Sequence, residues 1–254
     1  MSRSKRARAP EANNFVRTDV LARTARIFQI LFVVALIALL LIFIGITQRN
    51  RALADAPSTR APTKNAVAVL NPNAPLIALV AGHSGGIDTG AICADGTREV
   101  DVTTDVARRA KNNLEARNYR VEILAEFDAR LNAATREYSP RAFLAIHADS
   151  CIFSASGFKV ARAEISAIPQ EEDRMVRCLI AAYADATLLR YHADSITRDM
   201  THYHALGEIN LQSPAAIIEL GFLGSDAETL KKRDLLAQGV ADGLDSFLKG
   251  NECK

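Results

Sequence analysis

"LIALVAGHSGG", residues 76–86, decides the fold. A short apolar run bounded by Pro75 and by glycines reads as a buried strand rather than a helix, which needs more length. Gly82, Gly85, Gly86 and then Gly90 leave little bulk around His83, so the loop can hold a group close to its backbone.

The pattern repeats downstream. Residues 100–118 read as a helix, because Val102, Val106, Ala110 and Leu114 recur every fourth position on one face. "YRVEIL" (119–124) alternates like a strand, 128–138 reads as a short helix, and "AFLAIHA" (142–148) is a second buried strand. "GFKVAR" (157–162) and "AAIIELG" (215–221) are further strands, with helices over 170–190 and 233–248. Strands alternating with helices indicate a single α/β domain with a mostly parallel sheet.

Open α/β sheets place their sites beyond the carboxyl ends of the strands. His83 follows the first strand, His147 closes "AFLAIH" and Glu219 closes "AAIIE". Glu99 opens the helix after the glycine loop, three residues before Val102 and seven before Val106, and so shares the core-facing side. A carboxylate aimed inward is costly unless paired or bound to a cation. His83, Glu99 and His147 would form a two-histidine, one-glutamate metal set with room for water, and Glu219 could act as the base. Blander readings exist for each: a hydrogen-bonded core histidine, a first-turn acid at a helix dipole, a glutamate paired with an arginine. His192, His202 and His204 are a rival metal set, in a stretch without periodicity that reads as a loop or sheet edge.

Ahead of the domain, residues 27–46 run twenty positions without a charge, the length that crosses a bilayer. The leader, 1–26, carries seven Lys/Arg against Glu11 and Asp19, which orients this end to the cytoplasm. Expected boundaries are a basic cytoplasmic leader (1–26), a transmembrane signal anchor (27–46), a linker (47–74) and an extracytoplasmic domain (75–254). Ala52-Leu53-Ala54 resembles a cleavage site, so secretion after signal cleavage is the alternative. From residue 75 onward 20 Lys/Arg face 26 Asp/Glu, a net of −6, which argues against nucleic acid as a partner. None of the four cysteines sits in a CxxC pair. Cys93 and Cys151 each follow a candidate site histidine, which makes them a candidate disulfide; buried thiols are the alternative.

Taken in order, "AGHSGGIDTGA", "EVDVTTDVA", "AIHADS", "SASGFKV" and "SPAAIIELGFLGSDAE" resemble the motifs of the zinc-dependent N-acetylmuramoyl-L-alanine amidases of the cell wall, across residues 75–250. The resemblance implies a mixed α/β sheet flanked by helices. It implies Zn2+ on His83, Glu99 and His147, and Glu219 as the catalytic glutamate. The implied substrate is peptidoglycan, cut at the amide between the lactyl group of N-acetylmuramic acid and L-alanine by a zinc-activated water. Asp88 and Asp149 are candidates for orienting the histidines. This sequence departs from the family in having Ser84 after the histidine and no Thr-Arg pair between Tyr119 and His147. The partners expected are peptidoglycan and, through one N-terminal helix, the membrane; no sequence feature identifies a protein activator. Rival functions are a catalytically inactive peptidoglycan-binding module, a zinc peptidase acting on stem peptides, and a metal-free hydrolase using Ser84 or Cys151.

Overall fold

The structure, a computed structural model, describes residues 71–86 and 88–253. The expected leader, the anchor at 27–46 and nearly all of the linker lie outside them. Among the described residues no helix is long and apolar enough to cross a membrane.

Five strands form one sheet in the order β2-β1-β3-β5-β4. They are β1 (Leu76–Ala81), β2 (Arg120–Leu124), β3 (Ala142–Asp149), β4 (Lys159–Ala161) and β5 (Ala215–Phe222). All neighbours pair in parallel except β4, which runs antiparallel to β5 at the edge. Every residue of "IALVA" in β1 is buried, because both faces of the sheet are covered. A strand packed on both sides reads as an unbroken apolar run instead of an alternating one.

Three long helices, α1 (Glu99–Glu115), α2 (Pro169–Thr187) and α6 (Arg233–Leu248), cover one face. Val102, Val106, Ala110 and Leu114 pack there with Ile77, Leu79, Leu144 and Ile146. The opposite face takes Ala78, Val80, Phe143 and Ala145, the alternate residues of the same strands. Short helices α3 (Arg198–Thr201) and α4 (His204–Glu208) cover it through Met200, Ala205 and Leu206. A further single turn, α5 (Ala227–Leu230), precedes α6.

Two expectations are corrected. Residues 128–138 form turns, because Asp128 and Asn132 side chains accept the N–H groups of Arg130 and Ala134 and compete with a helix. The histidine-rich stretch is a sheet edge only at its start, where Tyr191 bridges Phe158; from residue 193 it is a run of short helical turns, one begun by Thr197, whose hydroxyl accepts the Met200 N–H. The long helices match the apolar periodicity: α6 has the expected ends, and the ends of α1 and α2 are shifted by one to three residues, α2 giving way at Leu188, which adopts a left-handed φ of 59°.

The chain leaves β1 through α1 to β2 on one side, and reaches β3 on the other side through residues 125–141. The strand order therefore reverses between β1 and β3, which opens a crevice at their carboxyl ends. His83 follows one of these strands and His147 lies near the end of the other.

Candidate metal centre

Immediately after β1 the chain turns. The Ser84 N–H donates to the Ala81 carbonyl, and His83 sits at φ 62°, a region residues with side chains seldom occupy. This turn leaves His83 Nε2 3.3 Å from Glu99 Oε1 and Nδ1 2.5 Å from Asp88 Oδ1. Glu99 is the first residue of α1, and its side chain is 7% exposed. Its Oε1 accepts the Ala148 N–H at 3.0 Å, and its Oε2 accepts the Ala91 N–H at 3.1 Å. From β3, His147 places Nδ1 3.2 Å from the same Oε1.

Both imidazoles thus converge on one carboxylate oxygen. A tetrahedral zinc ion with bonds of about 2.0–2.1 Å holds its ligand atoms about 3.3–3.4 Å apart. The two nitrogen–oxygen separations match that edge, and nitrogen with carboxylate oxygen is a donor set zinc accepts. Among the described residues, His83, Glu99 and His147 are the one group of metal-ligating side chains with donor atoms all within 4.8 Å. Two glycines make the room. A Cβ on Gly82 would lie 2.5 Å from His147 Cε1, and one on Gly90 would lie 2.4 Å from Glu99 Oε2.

Charge is balanced within the cluster. Hydrogen bonding to Glu99 lifts His83 to about 9. Burial alone would raise Glu99, but the two histidines and the Ala148 N–H outweigh it and hold the carboxyl at about 2. Burial opposes charge on His147, yet the carboxylates of Glu99, Glu219 and Glu126 around it raise its pKa.

Glu219 lies in β5, paired in register with His147 of β3. Its side chain is partly buried, whereas Oε2 is closed off from solvent without a hydrogen-bond partner. Burial raises the carboxyl to about 7, with His147 pulling against it and Glu99 and Asp149 adding to it. Asp149 does not orient a histidine as expected; it pairs with Lys159 of β4, which stands opposite Glu219 across the antiparallel ladder. Asp88 does take that role, on His83.

The remaining motifs shape the rim. Asp226 accepts from Ser156 Oγ, the Gly157 N–H and the Phe222 N–H, which ties the "SASG" segment to the end of β5. Cys93 and Cys151 are disulfide-bonded, joining the loop before α1 to the loop after β3. That bond removes Cys151 as a nucleophile. A second disulfide, Cys178–Cys253, pins the C-terminal segment to α2. His192, His202 and His204 do not converge: they bond to Ser195, Thr201 and Glu208 respectively.

Glu126 is a further buried carboxylate beside His147 that the sequence reading passed over. It follows β2, and its side chain, 9% exposed, lies 3.7 Å from His147 Nε2. It is held at about 2: burial acts to raise it, and His204, His147, the Tyr203 hydroxyl and the His83 N–H outweigh that effect. The strand-end rule, applied also to "YRVEIL", points at it.

Residues 77–246 match a family model described as N-acetylmuramoyl-L-alanine amidase, Amidase_3. The chain belongs to this amidase family. The amidase AmiC of Neisseria meningitidis is 39% identical to it over 85 residues, a stretch that is 32% of this chain and 20% of that protein. The amidase CwlD from Clostridioides difficile, solved in complex with the GerS lipoprotein, superposes with a TM-score of 0.55 at 18% identity, over 70% of this chain and 100% of that one. The amidase Ami1 from Mycobacterium smegmatis gives 0.59 at 19% identity, over 70% of this chain and 98% of that one. At such identities the likeness is one of fold. The amidase fold, with its mixed sheet flanked by helices, is that expected from the sequence.

Proposed function

We propose that this member of the amidase family hydrolyses peptidoglycan at the amide between the lactyl carbonyl of N-acetylmuramic acid and L-alanine, using Zn2+ held by His83, Glu99 and His147. The observation that carries the reading is Glu219: a carboxylate with one enclosed, unpartnered oxygen beside a three-donor metal set. A bound divalent ion supplies Lewis acidity, polarising the scissile carbonyl and lowering the pKa of water from ~15.7 towards ~7.

The side chains do the rest. Glu219 Oε2 takes a proton from the attacking water and returns it to the leaving amine nitrogen, the step an amide needs because an amide anion is a poor leaving group. A pKa of about 7 in the metal-free protein leaves Glu219 able to do both near neutrality, and a nearby cation shifts it towards the ionised base. The His83 turn and the two glycines leave the donors room to converge.

The same reading places the domain outside the cytoplasm, tethered by residues 27–46 and facing the wall. Two disulfides support that placement, since such bonds persist in oxidising compartments. The test is digestion of purified peptidoglycan by the protein, with and without a chelator, followed by product masses. Free glycan strands and intact stem peptides support an amidase. Cut stem peptides identify a peptidase, and binding without products identifies an inactive wall-binding module.

A further inference from the structure

Each candidate ligand histidine has a second ring nitrogen, and the structure sets a carboxylate against both. His83 Nδ1 meets Asp88. His147 Nε2 is enclosed and has no hydrogen-bond partner, and Glu126 Oε2 faces it at 3.7 Å. Glu126 is itself held firmly. Its Oε2 accepts the His83 N–H at 2.6 Å. Its Oε1 accepts from the Tyr203 hydroxyl at 2.7 Å and meets His204 Nε2 at 3.2 Å.

We propose that Glu126 is a positioning residue of the metal centre: it attracts the proton of His147 to Nε2 and so leaves Nδ1 bare for the metal. This rests on the metal reading of His83, Glu99 and His147. A neutral imidazole carries one N–H and one bare nitrogen, and only the bare nitrogen can ligate. In a buried ring, the tautomer is set by whichever acceptor lies beyond the other nitrogen. On the Nδ1 side of His147 lies Glu99, a ligand that the cation would engage. On the Nε2 side lies Glu126.

Glu126 is placed to support rather than to ligate. Its two oxygens already accept from a main-chain N–H, a phenol and an imidazole. One of these oxygens, Oε2, couples the two ligand histidines, taking the main-chain N–H of His83 and facing the ring of His147. The arrangement also gives a use to the stretch around Tyr203 and His204, whose contacts with Glu126 bring the α3–α4 segment to the rim of the site. Tyr203 lies edge-on to the His147 ring, with centroids 5.2 Å apart, and Phe127 stacks on His204 at 4.7 Å.

The experiment compares the parent protein with Glu126→Gln, Glu126→Asp, Tyr203→Phe and a His83→Ala control, stripped and reloaded with zinc or cobalt(II). Glu126→Gln should weaken zinc binding about 10–100-fold in a chelator competition and shift the visible spectrum of the cobalt form. Glu126→Asp should recover part of both, and Tyr203→Phe should weaken binding less than Glu126→Gln. Imidazole nitrogen NMR of the zinc-loaded parent needs no variant and should place the His147 proton on Nε2. A proton on Nδ1 overturns the proposal, as does a folded Glu126→Gln protein with parental zinc affinity and an unshifted cobalt spectrum. If the parent takes up no zinc, the metal reading falls and this inference with it. If only His83→Ala loses the metal, the centre stands and the role of Glu126 falls.

Discussion

His147 and Glu219 face each other across the β3–β5 ladder, each near the carboxyl end of its strand. Parallel pairing makes this juxtaposition possible, because both strands deliver their ends to the same edge of the sheet. A register slip of one residue would turn either side chain to the opposite face. The apolar residues that alternate with them, Ile146 and Ile218, are fully buried in the core under the long helices, so core packing and site geometry are set together.

Glu219→Gln should keep one zinc per chain and lose roughly 10²–10⁴-fold in turnover, the range for removing a general acid–base group. Metal content by mass spectrometry and release of stem peptides from peptidoglycan measure the two halves. A folded variant that cuts at the parental rate would falsify the role given to this carboxylate.

The metal-free protein should lose stability in alkali before the zinc-loaded protein does. His83 is raised from 6.5 to about 9, so its contribution is fully present below 6.5 and is lost as pH rises through 9. Glu219, raised from 4.5 to about 7, adds a decline of its own that ends near neutrality. The stretch between pH 7 and 9 is therefore the window that reports the raised histidines, His83 with His147 and His204. Thermal unfolding of the stripped protein should show a falling Tm there, and the loaded protein, whose two ligand histidines are held by the cation, should show a smaller fall. Glu99 and Glu126, both lowered to about 2, act in the other direction: their contribution is present above 4.5 and disappears as pH falls through 2. Equal Tm profiles for the two forms between pH 7 and 9 would contradict the assignment.

The two disulfides should separate stability from metal binding. Their sequence separations, 58 and 75 residues, are long, and opening either should cost about 4 kcal/mol by the chain-entropy argument. Replacing Cys93 and Cys151 by serine should also weaken zinc binding, because that bond joins the segments that carry Glu99 and His147. Replacing Cys178 and Cys253 should lower Tm and leave zinc affinity at the parental value. Denaturant titration alongside chelator competition checks both, and equal zinc affinities in the two double variants would refute the distinction.

Gly90 and Gly96 both adopt a left-handed backbone, at φ 66° and 87°. A Cβ at Gly96 meets nothing, whereas one at Gly90 lies 2.4 Å from Glu99 Oε2 and 2.6 Å from His83 Cδ2. Gly96→Ala should cost about 1–2 kcal/mol of backbone strain and retain zinc. Gly90→Ala should carry the same strain and displace two ligands as well, seen as lost zinc uptake in a protein that still shows its far-ultraviolet spectrum. Zinc uptake unchanged in Gly90→Ala would show that the two donors are not packed against this turn.

Much of the fold was legible in local order. The run "LIALVAG", the four-residue step of Val102, Val106, Ala110 and Leu114, and the strand-end placement of His83, His147 and Glu219 all express short-range periodicities that survive without knowledge of packing. Where side chains compete with the main chain, that reading failed: Asp128 and Asn132 turned an expected helix into turns, and Thr197 opened a helix in a stretch without period. The second disulfide also escaped, because Cys178 and Cys253 become neighbours only when the C-terminal segment returns to α2.

By itself the sequence determined the alternation of strands and helices and the residue types at the strand ends, since hydrophobic period and chain breakers act over a few residues. Only the tertiary structure decided that one oxygen of Glu99 lies 3.3 Å from His83 Nε2 and 3.2 Å from His147 Nδ1, and that Glu126 stands behind His147 while Asp149 turns to Lys159. Those contacts join residues tens of positions apart, and their distances depend on sheet order, strand register and the room left by Gly82 and Gly90, none of which a local pattern encodes.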